Sequence, residues 1–186
     1  MTSATWEGGP FSIRPLLPSD APYMYALATS PAAIVSWRHR GTTPPPDKVL
    51  SSLWSNAEVV MIGLAEGRPV GVIVLYEPDY RNQVASLAVL TDDQQVGSGV
   101  VFGPVRLFLN YVFDVFPFRK LYIESDGSTY LDRFGSSAAT ASLVQEEGRL
   151  KDYYLFSKAT RDKVIVTLDR NTWCTSPISG FDEHTA

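Results

Sequence analysis

Apolar residues fall in short runs along this chain, with the lengths and alternation that are typical of strands. Phe11–Pro15 alternates apolar and polar residues and predicts a first strand. The β-branched runs 58–65 and 70–76 are joined by Glu66-Gly67-Arg68-Pro69, which predicts a hairpin. Four later runs predict further strands: 83–90, 120–125, 153–157 and 163–169, with 160–162 as the turn between the last two.

Other segments have the spacing of helices. Ser19 or Asp20 can cap a helix that runs to about residue 29, and residues 47–54 predict a second helix. Residues 129–143 are expected to be helical or irregular.

A longer amphipathic segment predicts a central helix that ends near Phe116, because Pro117 cannot continue it. Pro104 should bend this helix or delay its start. The order of elements is then β-α-α-β-β-β-α-β-α-β-β. Three consecutive strands precede the central helix, which predicts a mixed sheet and not a regularly alternating parallel one.

Composition favours a single globular domain over residues 11–173, with a loose leader at 1–10 and a flexible tail at 174–186. Of the 186 residues, 45% are hydrophobic and 12% aromatic, enough to bury a core. The longest apolar stretch, residues 100–118, is interrupted by Gly, Pro and charged residues, so we expect no membrane helix. Residues 1–10 do not have the pattern of a secretory signal, and we expect a cytoplasmic protein.

Charge and cysteine content exclude further classes. The net charge of −4 does not favour a nucleic-acid partner. Cys174 is the only cysteine, so an internal disulfide and a thiolate zinc site are excluded. The two histidines, His39 and His184, form no ligand set with other residues, and we expect no metal.

The segment most informative about chemistry is the loop between the fourth strand and the central helix. It contains Gln94, Gln95, Val96, Gly97, Ser98 and Gly99. Glycines let a backbone approach a ligand, and backbone N–H groups at a helix start form an anion site. The nucleotide P-loop is excluded because no Gly-Lys-Ser/Thr follows, and the dinucleotide fingerprint because Phe102 stands where its third glycine belongs. A plain strand-to-helix turn would also use Gly97 and Gly99.

The pattern Gln-x-x-Gly-x-Gly in this order of elements resembles the pyrophosphate loop of the GCN5-related N-acetyltransferases, the GNAT superfamily. The resemblance covers about residues 11–173. Three further segments carry it: Ile13-Arg14-Pro15 with Ser19-Asp20, residues 118–124, and Glu146-Glu147-Gly148-Arg149-Leu150 followed by Asp152-Tyr153-Tyr154. The last of these is similar to the ending of the RimJ/RimL-like branch.

The resemblance implies an α/β (α+β) fold with a mixed, mostly antiparallel sheet of six to seven strands. About four helices would flank the sheet, which would splay at its fourth and fifth strands. It also implies binding of acetyl-CoA or another acyl-CoA as co-substrate. Backbone groups of Leu87, Ala88 and Val89 would hold the pantetheine arm, and the loop from Gln94 with the amides up to Val100 would hold the pyrophosphate. An acceptor amine would then attack the thioester directly.

Such a reaction needs a proton acceptor, because a lysine-like ammonium has a pKa of about 10.4 and must lose a proton before it attacks. Glu124, near the end of the fifth strand, is the preferred candidate, and Glu77 or an ordered water is the alternative. Glu124 is equally compatible with a solvated strand end. Candidates for protonating the departing thiolate follow the fifth strand, Ser128, Thr129 and Tyr130, with Tyr153 and Tyr154 as further possibilities.

On the acceptor side we expect Trp37, Arg38, Tyr76 and Glu77 to bind a small-molecule or peptide amine. Many family members carry an asparagine after the fifth strand, and this chain has none there. Two alternatives therefore stay open: a CoA-binding or regulatory module that has lost catalysis, and acyl transfer to an acceptor other than an amine. A monomer and a homodimer are both compatible with the sequence.

Overall fold

The structure, a computed structural model, describes residues 4–31, 33, 37, 42–92, 95, 98–126, 141–156 and 158–180. They form a mixed α/β fold whose strands are mostly antiparallel, and this confirms the predicted fold class. The strands are β1 Trp6–Gly8, β2 Phe11–Pro15, β3 Ala57–Ala65, β4 Arg68–Asp79, β5 Val84–Thr91, β6 Lys120–Asp126, β7 Val144–Phe156 and β8 Ala159–Asp169. The helices are α1 Ala21–Ala28, α2 Pro46–Trp54, α3 Phe102–Val115 and α4 Arg170–Cys174.

The described residues thus contain eight strands, where six to seven were expected. The strand that the sequence did not predict is β1, which lies within the first ten residues and pairs antiparallel with β2. It has only three residues, too few for an apolar alternation to be visible.

The chain divides into two compact units, and the first contains Met1–Glu77 and Leu87–Leu107. Its strands follow the order β1-β2-β3-β4-β5. The predicted β3–β4 hairpin is present, with Ala65 opposite Arg68. Its two-residue turn is Glu66-Gly67, and both residues have positive φ, as a type I′ turn requires.

The core of the first unit lies under α1 and α2. β3 and β4 each contain six consecutive buried residues, which explains why their sequence shows continuous apolar runs and little alternation. The buried cluster consists of Met24, Leu27, Ala28, Val49, Leu53, Val60, Ile62, Leu64, Val72, Val74 and Leu90.

The second unit contains Pro78–Ser86 and Phe108–Ala186, with strand order β5-β6-β8-β7. Both β6 and β7 pair antiparallel with β8. Part of the stretch expected as a tail is packed here: Asn110 donates to the Ser179 carbonyl (2.9 Å) and accepts from the Trp173 indole N–H (2.8 Å). Arg170 donates to the carbonyls of three residues around the end of α3: Phe113, Phe116 and Phe118.

Three local predictions were wrong. The turn expected at residues 160–162 lies inside β8, which already begins at Ala159, and β7 has 13 residues instead of the predicted five. The Asp20 carboxylate does not cap α1. It accepts hydrogen bonds from the Leu17 N–H (2.8 Å) and from Arg14 (2.7 and 2.9 Å), because it closes the short 3₁₀ turn that precedes α1.

Within the part of the chain that the structure describes, no helix is both long enough and apolar enough to cross a bilayer.

Candidate active site

The loop between β5 and α3 is shaped by its own hydrogen bonds. The Gln95 N–H donates to the Asp92 carbonyl (2.8 Å), and the Ser98 N–H donates to the Gln95 carbonyl (3.1 Å). The Val100 N–H donates to the Ser98 hydroxyl oxygen at 3.3 Å. Three of the amides expected to hold a pyrophosphate are therefore engaged inside the loop, and a phosphate would have to share or replace these partners.

Gly99 connects this loop to the helix. Its φ is +73°, in the left-handed region, and a Cβ at this position would meet no atom within 4 Å. The Phe102 N–H donates to the Gly99 carbonyl at 3.0 Å where α3 begins. The requirement for glycine here is thus conformational, since any other L-residue at this φ costs about 1–2 kcal/mol.

The first turn of α3 packs closely on the strands of the first unit through glycines. A Cβ on Gly63 would lie 2.6 Å from the Pro104 side chain, and one on Gly103 would lie 2.4 Å from the Phe11 ring. Pro104 is the third residue of α3, where a backbone N–H has no acceptor within the helix. The predicted delay of the helix start is therefore observed, because α3 begins only at Phe102.

The residues expected to contact the pantetheine arm all lie on β5, the strand that leads into the loop. Leu87 is buried, whereas Ala88 and Val89 are half-buried. Ala88 packs against the buried cluster of the first unit. Gly71 on β4 faces the end of this strand so closely that a Cβ there would lie 2.5 Å from the Leu90 carbonyl oxygen.

Two of the expected acceptor-side residues contribute to the core of the first unit. Trp37 and Tyr76 are both partly buried and pack against the same apolar cluster. Glu77, the next residue after Tyr76, is exposed and has a φ of +52°, and its N–H donates to the Asn56 carbonyl at 3.0 Å.

Tyr23 on α1 packs against that cluster as well, and the sequence had placed it only on an apolar helix face. Its hydroxyl oxygen is buried without a hydrogen-bond partner. Burial raises the pKa of Tyr23, and the negative charge of Asp92 at the start of the loop raises it further. The phenol therefore stays neutral and keeps its donor. No feature of the sequence indicated that this hydroxyl would be unpaired.

In the second unit, Glu124 lies on β6 with 44% of its side chain exposed, and its Oε2 atom is 2.6 Å from Lys163 Nζ on β8. Ion pairs also connect Arg161 with Asp126 (3.5 Å) and Lys120 with Glu147 (2.5 Å). These three ion pairs form a charged face on β6, β7 and β8 that consists of six residues: Lys120, Glu124, Asp126, Glu147, Arg161 and Lys163.

The two tyrosines considered as alternative acids lie on β7. Their rings are in edge contact, with centroids 5.0 Å apart. Lys163 Nζ lies 5.0 Å from the centroid of the Tyr153 ring. Lys163 therefore connects one candidate acid, Tyr153, with the candidate base Glu124, and no pattern in the sequence indicates this lysine.

Several predicted site residues lie outside the described residues, and their roles stay predictions: Arg38, Gln94, Val96, Gly97, Ser128, Thr129 and Tyr130. Among the residues that are described, no group of three or more His, Cys, Asp or Glu side chains is arranged to hold a metal ion.

No protein-family model matches the chain, and no curated protein is similar enough in sequence to be matched. Its structure does match solved structures. A spermidine N-acetyltransferase from Vibrio cholerae in complex with CoA and spermine has a TM-score of 0.73 and 15% identity, over 89% of this chain and 98% of that one. A chimera of the Vibrio cholerae enzyme SpeG and hSSAT has a TM-score of 0.72 and 16% identity, with coverages of 90% and 99%.

A third match is RimL, a ribosomal alpha-N-protein acetyltransferase in complex with coenzyme A. Its TM-score is 0.70 at 12% identity, and the alignment covers 87% of this chain and 95% of RimL. The chain has the fold of these acetyltransferases. At such identities the likeness concerns the fold, which is the one implied by the resemblance of the sequence to the GNAT superfamily.

Proposed function

We propose that this chain is an acyl-CoA-dependent N-acyltransferase that most readily uses acetyl-CoA. The observation that carries the proposal is the loop and first turn of α3 at the end of β5, with a left-handed glycine at 99. The N-terminus of a helix that follows such a loop favours the binding of an anion, through its backbone N–H groups and the helix dipole. In an acetyltransferase fold, the anion of matching chemistry is the pyrophosphate of CoA.

In the proposed reaction, an acceptor amine forms a bond to the thioester carbonyl carbon, the carbon–sulfur bond breaks, and CoA leaves as a thiolate. The loop around Gln95 and Ser98 would hold the phosphates, and β5 would bind the pantetheine arm. Glu124 would accept the proton that the ammonium must lose before attack. Trp37 and Tyr76 would line the acceptor side.

The acceptor is proposed to be a cationic amine. The net charge of −4 attracts cations over distance, although it acts on rate and encounter more than on specificity. One of the similar structures contains spermine, and RimL is named as acting on a ribosomal protein. A polyamine and a protein N-terminus are therefore the two acceptor classes to test first. The protein N-terminus is the acceptor that a member of the RimJ/RimL-like branch would use.

Binding is tested with a matched pair of variants. Gly99→Ala should weaken acetyl-CoA binding about tenfold. An alanine at this left-handed φ raises the free energy of the loop conformation by about 1–2 kcal/mol, or the loop changes shape to avoid the strain. Gly67→Ala is the control, since Gly67 has a φ of +75°, open space at its Cβ and a position in the β3–β4 turn. It should lose similar stability and bind acetyl-CoA like the wild type. Titration calorimetry measures both, and equal affinities for all three proteins would refute the role of the loop.

Turnover is tested by release of free CoA thiol in the presence of acetyl-CoA and a panel of amines. Spermidine, spermine, peptides with a free N-terminus and aminoglycosides are the first panel. Release with any of them supports the proposal. A wild-type protein whose melting temperature no acyl-CoA raises would contradict it.

One observation favours a second function, a CoA-binding module without catalysis. The Glu124 carboxylate is already paired with Lys163 at 2.6 Å, so it is not an unoccupied base. If this function is the real one, acetyl-CoA binds without thiol release for any amine, and Glu124→Gln leaves the binding unchanged.

A further inference from the structure

Lys163 is an unusually placed lysine. The residue is only 8% exposed, although lysine is among the residues least often buried. A buried ammonium group is costly unless it is paired. Its Nζ atom lies 2.6 Å from Glu124 Oε2 and 5.0 Å from the centre of the Tyr153 ring, so a carboxylate and an aromatic face compensate the charge.

The acid that pairs with Lys163 is not the one directly opposite it in the sheet. In the antiparallel β6–β8 ladder, Lys163 lies opposite Asp126, and Glu124 lies opposite Ile165. Lys163 nevertheless contacts the diagonal acid, while Asp126 is paired with Arg161 at 3.5 Å. All four charged residues lie on one face of the sheet, since alternate residues of a strand point to the same side.

The two acids of β6 differ in exposure. The Asp126 side chain is 10% exposed, whereas that of Glu124 is 44% exposed. A carboxylate has about four acceptor positions, and one ammonium contact leaves the others available. Lys163 therefore fixes one oxygen of Glu124 from within the protein, and the rest of the carboxylate remains open to a ligand from solution.

We infer that Lys163 is a positioning residue for Glu124, which holds that carboxylate in one orientation for accepting a proton from the acceptor ammonium. The inference rests on the proposed function, because it assigns Lys163 a role in the same reaction. Holding a proton acceptor in one orientation contributes to rate, and a misplacement of about 1 Å can cost up to about 100-fold.

A double-mutant cycle tests it, with thiol release as the readout. Lys163→Met should lower kcat about tenfold and leave the KM for acetyl-CoA within about twofold, because the cofactor contacts are elsewhere. Glu124→Gln should lower kcat at least as much. In the Glu124→Gln background, Lys163→Met should have no further effect, since its partner is already changed. Lys163→Arg should recover part of the rate.

Lys120→Met is the matched control, because Lys120 forms a lysine–glutamate ion pair of similar length with Glu147, at 2.5 Å, within the same charged face. It should leave kcat within about twofold of the wild type. If Lys163→Met does not fold, Lys163→Gln, which keeps a donor without the charge, takes its place in the cycle. Folding of each variant is checked by circular dichroism and by the rise in melting temperature on adding acetyl-CoA.

Two results would overturn the inference while the proposed function stands: an unchanged kcat for Lys163→Met, or effects of the two substitutions that multiply in the double variant. A wild-type protein that binds no acyl-CoA, or binds it and transfers to none of the amines, would instead refute the proposed function and this inference with it.

Discussion

The first turn of α3 in the first unit and the charged face in the second unit are stabilised in opposite ways. Around the helix start, glycines bring backbone and side chains into direct contact, and an added Cβ on Gly63, Gly71 or Gly103 would have neighbours at 2.6, 2.5 and 2.4 Å. On the charged face, long side chains meet in pairs. Five of the six ion pairs found among the described residues lie in the second unit.

Substitutions should therefore differ in cost between these two regions. A close approach at a glycine has no space for one methyl group, so the neighbouring side chain or backbone must move. An ion pair of partly exposed side chains loses little, because water solvates each partner when the other is removed. A methyl group added in the first unit should therefore cost more than a charge removed in the second.

The largest effect is expected for Gly71→Ala. Its Cβ would lie 2.5 Å from the Leu90 carbonyl oxygen, a backbone atom that cannot rotate away, so β4 and β5 must separate locally. We expect a loss of about 3 kcal/mol in the free energy of unfolding, measured by urea denaturation. Gly148→Ala on β7 is the control, because its Cβ would have an ordinary contact of 3.8 Å with Ile165. Equal stability of the two variants would show that the close glycine contacts do not make the first unit more sensitive to an added methyl group.

The features that the sequence could predict are those that depend on a residue's effect on its own backbone. The hairpin was predictable because Glu66-Gly67 suits a turn with positive φ at both positions, and the late start of α3 followed from Pro104. Both are local effects of one residue on its own backbone. The glycine at position 99 of the loop was predictable for the same reason.

Features of the second unit depended on partners distant in the sequence. The first residues of β7 and of β8 were not predicted as strand, because they are largely polar and form pairs with the neighbouring strand: Thr160 donates to Asp152, and Arg149 contacts Asp162 at 3.3 Å. These pairs stabilise a segment that has the composition of a turn. Glu124 could be proposed from its strand end, but Lys163 could not, because its choice between Glu124 and Asp126 follows from register and rotamer.

A second prediction concerns the single ion pair of the first unit that the structure describes. Arg14 donates two hydrogen bonds to Asp20, and this guanidinium contact holds the pKa of Asp20 below its ordinary value. A carboxyl whose pKa is lowered by folding stabilises above its ordinary value of about 3.9 and loses that contribution as the pH falls through the folded value. Asp20→Asn should cost about 1–2 kcal/mol at pH 7.

The pH dependence of stability distinguishes the loss of the Arg14–Asp20 pair from the mere change in net charge. The stability difference between the wild type and Asp20→Asn should shrink steadily between about pH 5 and pH 2, because both proteins then lack the charge. Asp114→Asn, at an exposed position of α3, makes the same change of net charge and should be nearly neutral at pH 7. A difference for Asp20→Asn that stays constant down to pH 2 would argue against the pair as its cause.

The third prediction is a gain in stability. Tyr23→Phe removes a hydroxyl that is buried without a hydrogen-bond partner, and this should stabilise the protein by about 1 kcal/mol. Tyr25→Phe on the same helix is the control and should change the unfolding free energy by less than about 0.5 kcal/mol. A loss of stability in Tyr23→Phe would mean that the hydroxyl is satisfied in solution.

The smallest effect is expected on the charged face, for Glu147→Gln. Its carboxylate accepts a hydrogen bond from Lys120, which holds the pKa of Glu147 below its ordinary value, and Thr167 donates to it as well at 3.0 Å. Because the side chains of both ionic partners are about a quarter exposed, the net loss should be only about 0.5 kcal/mol. The loss should become smaller in about 1 M NaCl, because salt weakens the attraction between partly exposed charges. A loss above about 2 kcal/mol that persists in salt would be close to the loss expected at the glycine contacts of the first unit. The two regions would then not differ in their sensitivity to substitution.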